Sequence, residues 1–204
     1  MEKFNYNTDK LVVVAYPTGA GGKFLINSLG VSNSACLQDW ELYSLSSTEK
    51  KQLIFDRLDA TPAGTWNDLD LGCFKQFEYN IDGLLAEAIH EIEFEFDQVV
   101  DISYGDKYFF QTTHTEENYL QLCRAFPRAT TINLVNCGTM RRDIYNPVKD
   151  LNIHSDYIFD VENYGNIASL LNDISMFYTM FKMKDFDRTF TLEYYNRWQD
   201  KING

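Results

Sequence analysis

The chain has 204 residues, of which 45% are hydrophobic and 24% charged, a balance that fits a single globular domain spanning residues 1–204. A chain of this size buries about 70% of its unfolded surface and needs no disulfide or metal staple to fold. Its 18 Lys and Arg against 30 Asp and Glu give a formal net charge of -12, the wrong sign for broad attachment to nucleic acid or to an anionic membrane.

The first ten residues lack the basic-then-apolar order of a signal peptide, and no apolar run approaches the roughly 20 residues of a membrane span. The expected location is therefore the cytoplasm, of a bacterium or of a phage-infected host. From Leu11 to Ala15 the sequence is continuously apolar and β-branched, the pattern of a strand buried on both faces, and Tyr16-Pro17 ends it. A glycine-rich turn follows over Thr18, Gly19, Ala20, Gly21 and Gly22, and the apolar spacing from Lys23 to Leu29 predicts a helix closed by Gly30.

Ser46 and Glu49 form a capping-box pattern ahead of Leu53, Ile54, Phe55 and Leu58, which predicts a helix ending near Ala60. The stretch 61–83 is rich in Asp, Gly and aromatic residues and reads as a surface excursion, an acceptor or lid segment. Leu84 to Ile92 reads as helix, and the alternation from Ile92 to Asp97 as an edge strand with its acidic row in water. Tyr108 to Thr113 is a further buried strand, ending at His114. Thr115 caps a helix over Glu116 to Phe126, Thr130 to Val135 is a strand, and Val161 to Met183 carries a broad apolar helical stripe. Arg188 to Leu192 alternates as a strand, before a terminal helix from Glu193 to Lys201. Strands separated by helices predict an α/β three-layer sandwich around a mostly parallel central sheet.

The dispersed Cys36, Cys73, Cys123 and Cys137 form no C-x-x-C pair, and His90, His114 and His154 are equally scattered. No metal site is expected from such spacing, and the thiols read as reduced and buried. The glycine turn is the feature that carries chemistry. In a parallel sheet the ligand site lies beyond the carboxyl ends of the strands, where glycines let the backbone approach an anion and a helix N-terminus offers its amides. Lys23 adds a positive charge there. Against the Walker pattern G-x-x-x-x-G-K-[ST], Gly22 and Lys23 match, Pro17 stands at the first glycine, and Phe24 replaces the hydroxyl that holds magnesium. This disfavours a metal-dependent ATPase or GTPase.

Tyr16-Pro17, the glycine loop and Lys23-Phe24-Leu25 resemble the Y-P-x-S-G-T-T-W-L segment of the sulfotransferases, with one extra residue in the loop. Gln111-Thr112-Thr113-His114 is similar to the strand-ending K-T-H of that family, and Thr191 to Tyr195 resembles its late strand and Y-E-D. The resemblance implies a P-loop-type fold, the cofactor PAPS held without an obligatory metal, and His114 as the base that deprotonates the acceptor. Lys23 would act catalytically on the bridging oxygen, and Thr18, Gly19, Ala20, Gly21, Gly22, Lys23 and Phe24 would cradle the phosphosulfate. Gly21 and Gly22 stand where the family has paired hydroxyls. Asn136 and Ile144 stand at its arginine and serine, so Arg141 or Arg142 would take the 3′-phosphate. From the residues alone, His114 either abstracts a proton, or caps the following helix or satisfies a loop. The expected partners are a small anionic nucleotide and an acceptor that the sequence does not name. Two alternatives accompany the sulfotransferase reading: a P-loop kinase-like phosphotransferase, and a catalytically silent nucleotide- or anion-binding accessory protein.

Overall fold

The computed structural model describes residues 10–17, 19–36, 45–61, 107–137 and 149–203. Its strands are β1 (Leu11–Ala15), β2 (Ala35–Cys36), β3 (Tyr108–Thr113), β4 (Thr130–Val135) and β5 (Tyr157–Asp160). The helices are α1 (Gly22–Gly30), α2 (Ser47–Ala60), α3 (Glu116–Ala125), α4 (Ile167–Met180) and α5 (Arg188–Asn203), with a 3-10 helix at Val161–Gly165. Among the described residues the strands form one sheet in the order β2-β3-β1-β4-β5, and every neighbouring pair is parallel. The chain is thus an α/β protein. The expected helix over 84–92, the edge strand over 92–97 and all but the first residue of the excursion over 61–83 lie outside the described residues.

The apolar run of β1 occupies the middle of the sheet and is buried along its whole length. Val12 and Val14 point into one core with Phe110, Ile132, Leu134 and Phe159 from the sheet and with Phe24, Ile174, Phe177 and Tyr194 from the helices. The opposite face carries Gln111, Thr113, Thr131 and Asn133, buried yet polar. α1 leads from β1 toward β2 and α3 leads from β3 to β4, in opposite directions across the sheet, so right-handed crossovers set them on opposite faces.

The caps account for most helix boundaries. Ser46 and Glu49 close the predicted capping box on α2, Ser46 accepting from the Glu49 amide at 3.3 Å and Glu49 accepting from the Ser46 amide at 2.7 Å. Thr115 accepts from the Asn118 amide at the start of α3. The single helix expected over 161–183 is instead the 3-10 turn followed by α4, because Asn166 takes an extended conformation and caps Ala168 and Ser169 with its side chain. α4 ends in paired reverse bonds, Lys182 N to Thr179 O and Met183 N to Tyr178 O. This Schellman arrangement has Lys182 at positive φ in the place glycine usually takes.

The strand expected over 188–192 is helix. Asp187 accepts from the Phe190 amide at 2.9 Å, which opens α5 and sets Phe190, Tyr194 and Trp198 on one buried stripe. β5 was not anticipated. It is an edge strand in which Phe159 is buried and Ile158 is 65% exposed, and its apolar run is only the three residues 157–159, shorter than that of the central strand.

Lys50, in the first turn of α2, is fully buried. Its Nζ donates to the carbonyls of Gly30 at 3.1 Å, Ser32 at 2.6 Å and Ala35 at 2.7 Å. The ammonium thereby satisfies oxygens at the negative end of the α1 dipole and in the turn that leads into β2. Asp185 braces the same turn, accepting from the Ser32 hydroxyl and the Asn33 amide.

Replacing Lys50 by Met keeps the volume but strands these carbonyls, and should lower unfolding stability by about 3 kcal/mol; denaturant titration with an unchanged slope would confirm a native-state effect. The Phe190 amide, opposed by partial burial and aided by Lys51, holds the Asp187 carboxyl below its ordinary value of 3.8. A carboxyl depressed on folding stabilises the fold above its unfolded pKa and loses that contribution as pH falls. Melting temperatures should therefore drop from pH 4 downward by less in Asp187→Asn than in the parent chain.

Candidate functional site

The loop between β1 and α1 and the residue that ends β3 meet at the carboxyl edge of the sheet. β1 and β3 pair with Ala15 opposite Thr113, and the ladder continues with the Tyr16 amide donating to Thr113 O at 3.0 Å. The next acceptor, the Tyr16 carbonyl, lies 2.9 Å from His114 Nδ1. A carbonyl only accepts, so Nδ1 carries a proton, and in the neutral imidazole the lone pair is then on Nε2. The two rings also meet edge to face, with centroids 4.6 Å apart. The cap of α3 is Thr115, so His114 does not cap that helix, and its bond to the Tyr16 carbonyl is the loop-satisfying arrangement.

In the loop itself, Gly19 has φ +87 and Gly21 φ +73, values that disfavour any residue with a Cβ. A Cβ on Gly19 would meet nothing within 4 Å, so the loop is open above that residue. Gly22 is the reverse. A Cβ there would sit 2.2 Å from the Tyr16 ring, so the ring lies directly against the helix start. Gly21 is the N-cap of α1 and contributes no side-chain bond, so the helix opens on backbone groups.

Two amides are used inside the loop, Ala20 donating to Pro17 O and Phe24 to Gly21 O, both at 3.1 Å. The Gly21 carbonyl accepts a second bond, from the buried Tyr164 hydroxyl at 2.7 Å. The Lys23 side chain is 5% exposed and belongs to the first turn of α1. The Phe24 side chain turns into the core, stacked on Tyr194 at 4.7 Å and packed on Trp198 and Tyr164.

Of the residues expected at the site, the structure thus bonds His114 to Tyr16, at the entrance of the loop that carries Gly19, Ala20, Gly21, Gly22 and Lys23, with the Phe24 side chain on the core side of α1. Thr18, Arg141 and Arg142 lie outside the described residues, as does His90. His154 is exposed, and its carbonyl accepts from Tyr119. Cys123 and Cys137 are free thiols, and burial, reinforced by Asp150, pushes the Cys137 thiol up to about 12.

Asn136 takes φ +61 beside the carboxyl end of β4. Asp150 accepts from its amide and from that of Cys137, both at 2.8 Å. Tyr164 is the residue of this region that sequence reasoning did not anticipate. It lies 143 positions from its partner in the chain, and no local pattern marks such a contact. No protein-family model, curated protein or solved structure matches this chain.

The Tyr16 ring supplies a direct test of how tightly the loop is built. Gly22→Ala should destabilise the protein by about 1–3 kcal/mol through overpacking. In a Tyr16→Ala background the same change should cost distinctly less, a non-additivity that a double-mutant cycle on melting or denaturation curves reads directly.

Proposed function

We propose that the chain is a sulfotransferase-like enzyme of P-loop type that moves a sulfuryl group from PAPS to a hydroxyl or amine acceptor. The observation that carries this reading is the bond between His114 Nδ1 and the Tyr16 carbonyl, 98 positions apart in sequence. It joins the two motifs on which the resemblance rests, the Y-P loop entrance and the strand-ending histidine. The open backbone at Gly19 and the capless start of α1 support an anion held by amides.

In this reading the Tyr16 carbonyl keeps the His114 proton on Nδ1, and Nε2 removes the acceptor's proton as its oxygen or nitrogen attacks sulfur. The bond between sulfur and the bridging oxygen breaks, and the adenosine bisphosphate leaves. Lys23, in the first turn of α1, stabilises the negative charge that develops on the bridging oxygen.

PAP, the product nucleotide, should raise the melting temperature without magnesium by at least ~5 °C at a hundredfold excess over Kd, and Lys23→Ala should remove most of that shift. His114→Ala should keep PAP binding and abolish sulfuryl transfer to a panel of phenols, alcohols and amines. No shift with millimolar PAP or PAPS would overturn the proposal, and binding without turnover on any acceptor would favour the accessory protein.

A further inference from the structure

The Gly21–Gly22 peptide joins the loop to the first residue of α1. A peptide unit flanked by two glycines meets little steric resistance to rotation, because neither neighbour has a Cβ. In this chain the Gly21 carbonyl accepts two bonds, one from the Phe24 amide at 3.1 Å and the other from the Tyr164 hydroxyl at 2.7 Å. In a trans peptide the carbonyl and the following N–H point in opposite directions. Fixing the Gly21 oxygen toward Tyr164 and the helix therefore directs the Gly22 amide out of the start of α1, toward the mouth of the loop.

Tyr164 is itself held. It is 4% exposed and belongs to the 3-10 helix that follows β5. Its ring packs on Phe24, Phe159 and Trp198 at centroid distances of 5.6, 5.4 and 5.2 Å, and its carbonyl accepts from the Tyr195 hydroxyl of α5. Two hydroxyls in series thus run from the terminal helix to the N-cap of α1.

We propose that Tyr164 is a positioning residue for anion binding: its hydroxyl locks the Gly21–Gly22 peptide in the orientation that presents the Gly22 amide to the ligand, and Tyr195 holds Tyr164 in place. This inference rests on the reading of the glycine loop as an anion site. It adds a residue from the far end of the chain to that site, and it makes the conformation of a single peptide the quantity that sets affinity. The ring of Tyr164 serves the core, and the oxygen alone serves the loop, so Tyr164→Phe separates the two roles.

The test is titration of the wild-type chain, Tyr164→Phe and Tyr195→Phe with inorganic pyrophosphate and with PAP, followed by calorimetry and by the Gly22 amide resonance in 15N-glycine-labelled protein. Tyr164→Phe should weaken both probes about tenfold, the loss expected for one buried hydrogen bond, while the ligand-free melting temperature falls by no more than about 4 °C. Its Gly22 resonance should broaden or split before ligand is added, which loss of packing elsewhere would not produce. Tyr195→Phe should act in the same direction and more weakly, and it decides the matter if Tyr164→Phe does not fold.

Unchanged affinity together with an unchanged Gly22 resonance would overturn the role of Tyr164 and leave the anion site standing. Pyrophosphate binding without PAP binding would overturn the PAPS reading and leave Tyr164 to be judged on pyrophosphate. Failure of the wild-type chain to bind either probe would overturn both.

Discussion

Tyr16 is the residue on which the rest of the site depends. Its amide extends the pairing of β1 with β3, its carbonyl holds the His114 imidazole, and its ring occupies the space that a side chain on Gly22 would need. One residue therefore fixes the end of the central strand, the tautomer of the histidine and the angle at which α1 leaves the sheet. Close packing makes such a contact stiff, because a ring against a backbone has no flexible end to give way. The glycine at 22 is then a requirement of space, whereas the glycines at 19 and 21 are requirements of backbone conformation.

Much of this was legible in the sequence, and the parts that were not share a cause. The buried run Leu11–Ala15, the capping box at Ser46 and Glu49, the Thr115 cap and the strand Thr130–Val135 are encoded within a few residues, and each forms as its pattern requires. The alternation from Arg188 to Leu192 misleads because Phe190 and Thr191 are buried equally well on a helix once Asp187 caps it. β5 escapes because its apolar run, 157–159, is too short to mark a strand by itself. Lys50 and Tyr164 escape for a stronger reason: their partners are carbonyl oxygens, which every residue has, brought near only by the finished fold. For the site, the glycine loop and His114 were readable as types of chemistry, while their contact through Tyr16 was not.

The aromatic core makes the loop and the terminal helix a single mechanical unit. Phe24 sits in the first turn of α1 with Tyr194 stacked on it and Trp198 and Tyr164 around it, and Asn27 donates to the Tyr194 hydroxyl one turn further on. The residue that replaces a metal-binding hydroxyl in the Walker pattern is thus an anchor between α1 and α5. A loop built largely of small residues gains its rigidity from large ones beneath it.

The buried ammonium of Lys50 bears on dynamics. With no surface exposed in the native state, its Nζ is reachable by an amine-reactive reagent only when α2 lifts from the turn that joins α1 to β2. Opening of that kind is a local event with its own free energy, distinct from global unfolding. The modification rate at this one lysine, compared with the exposed lysines of the same chain, is therefore a clock for the detachment of α2, built into the protein without any label.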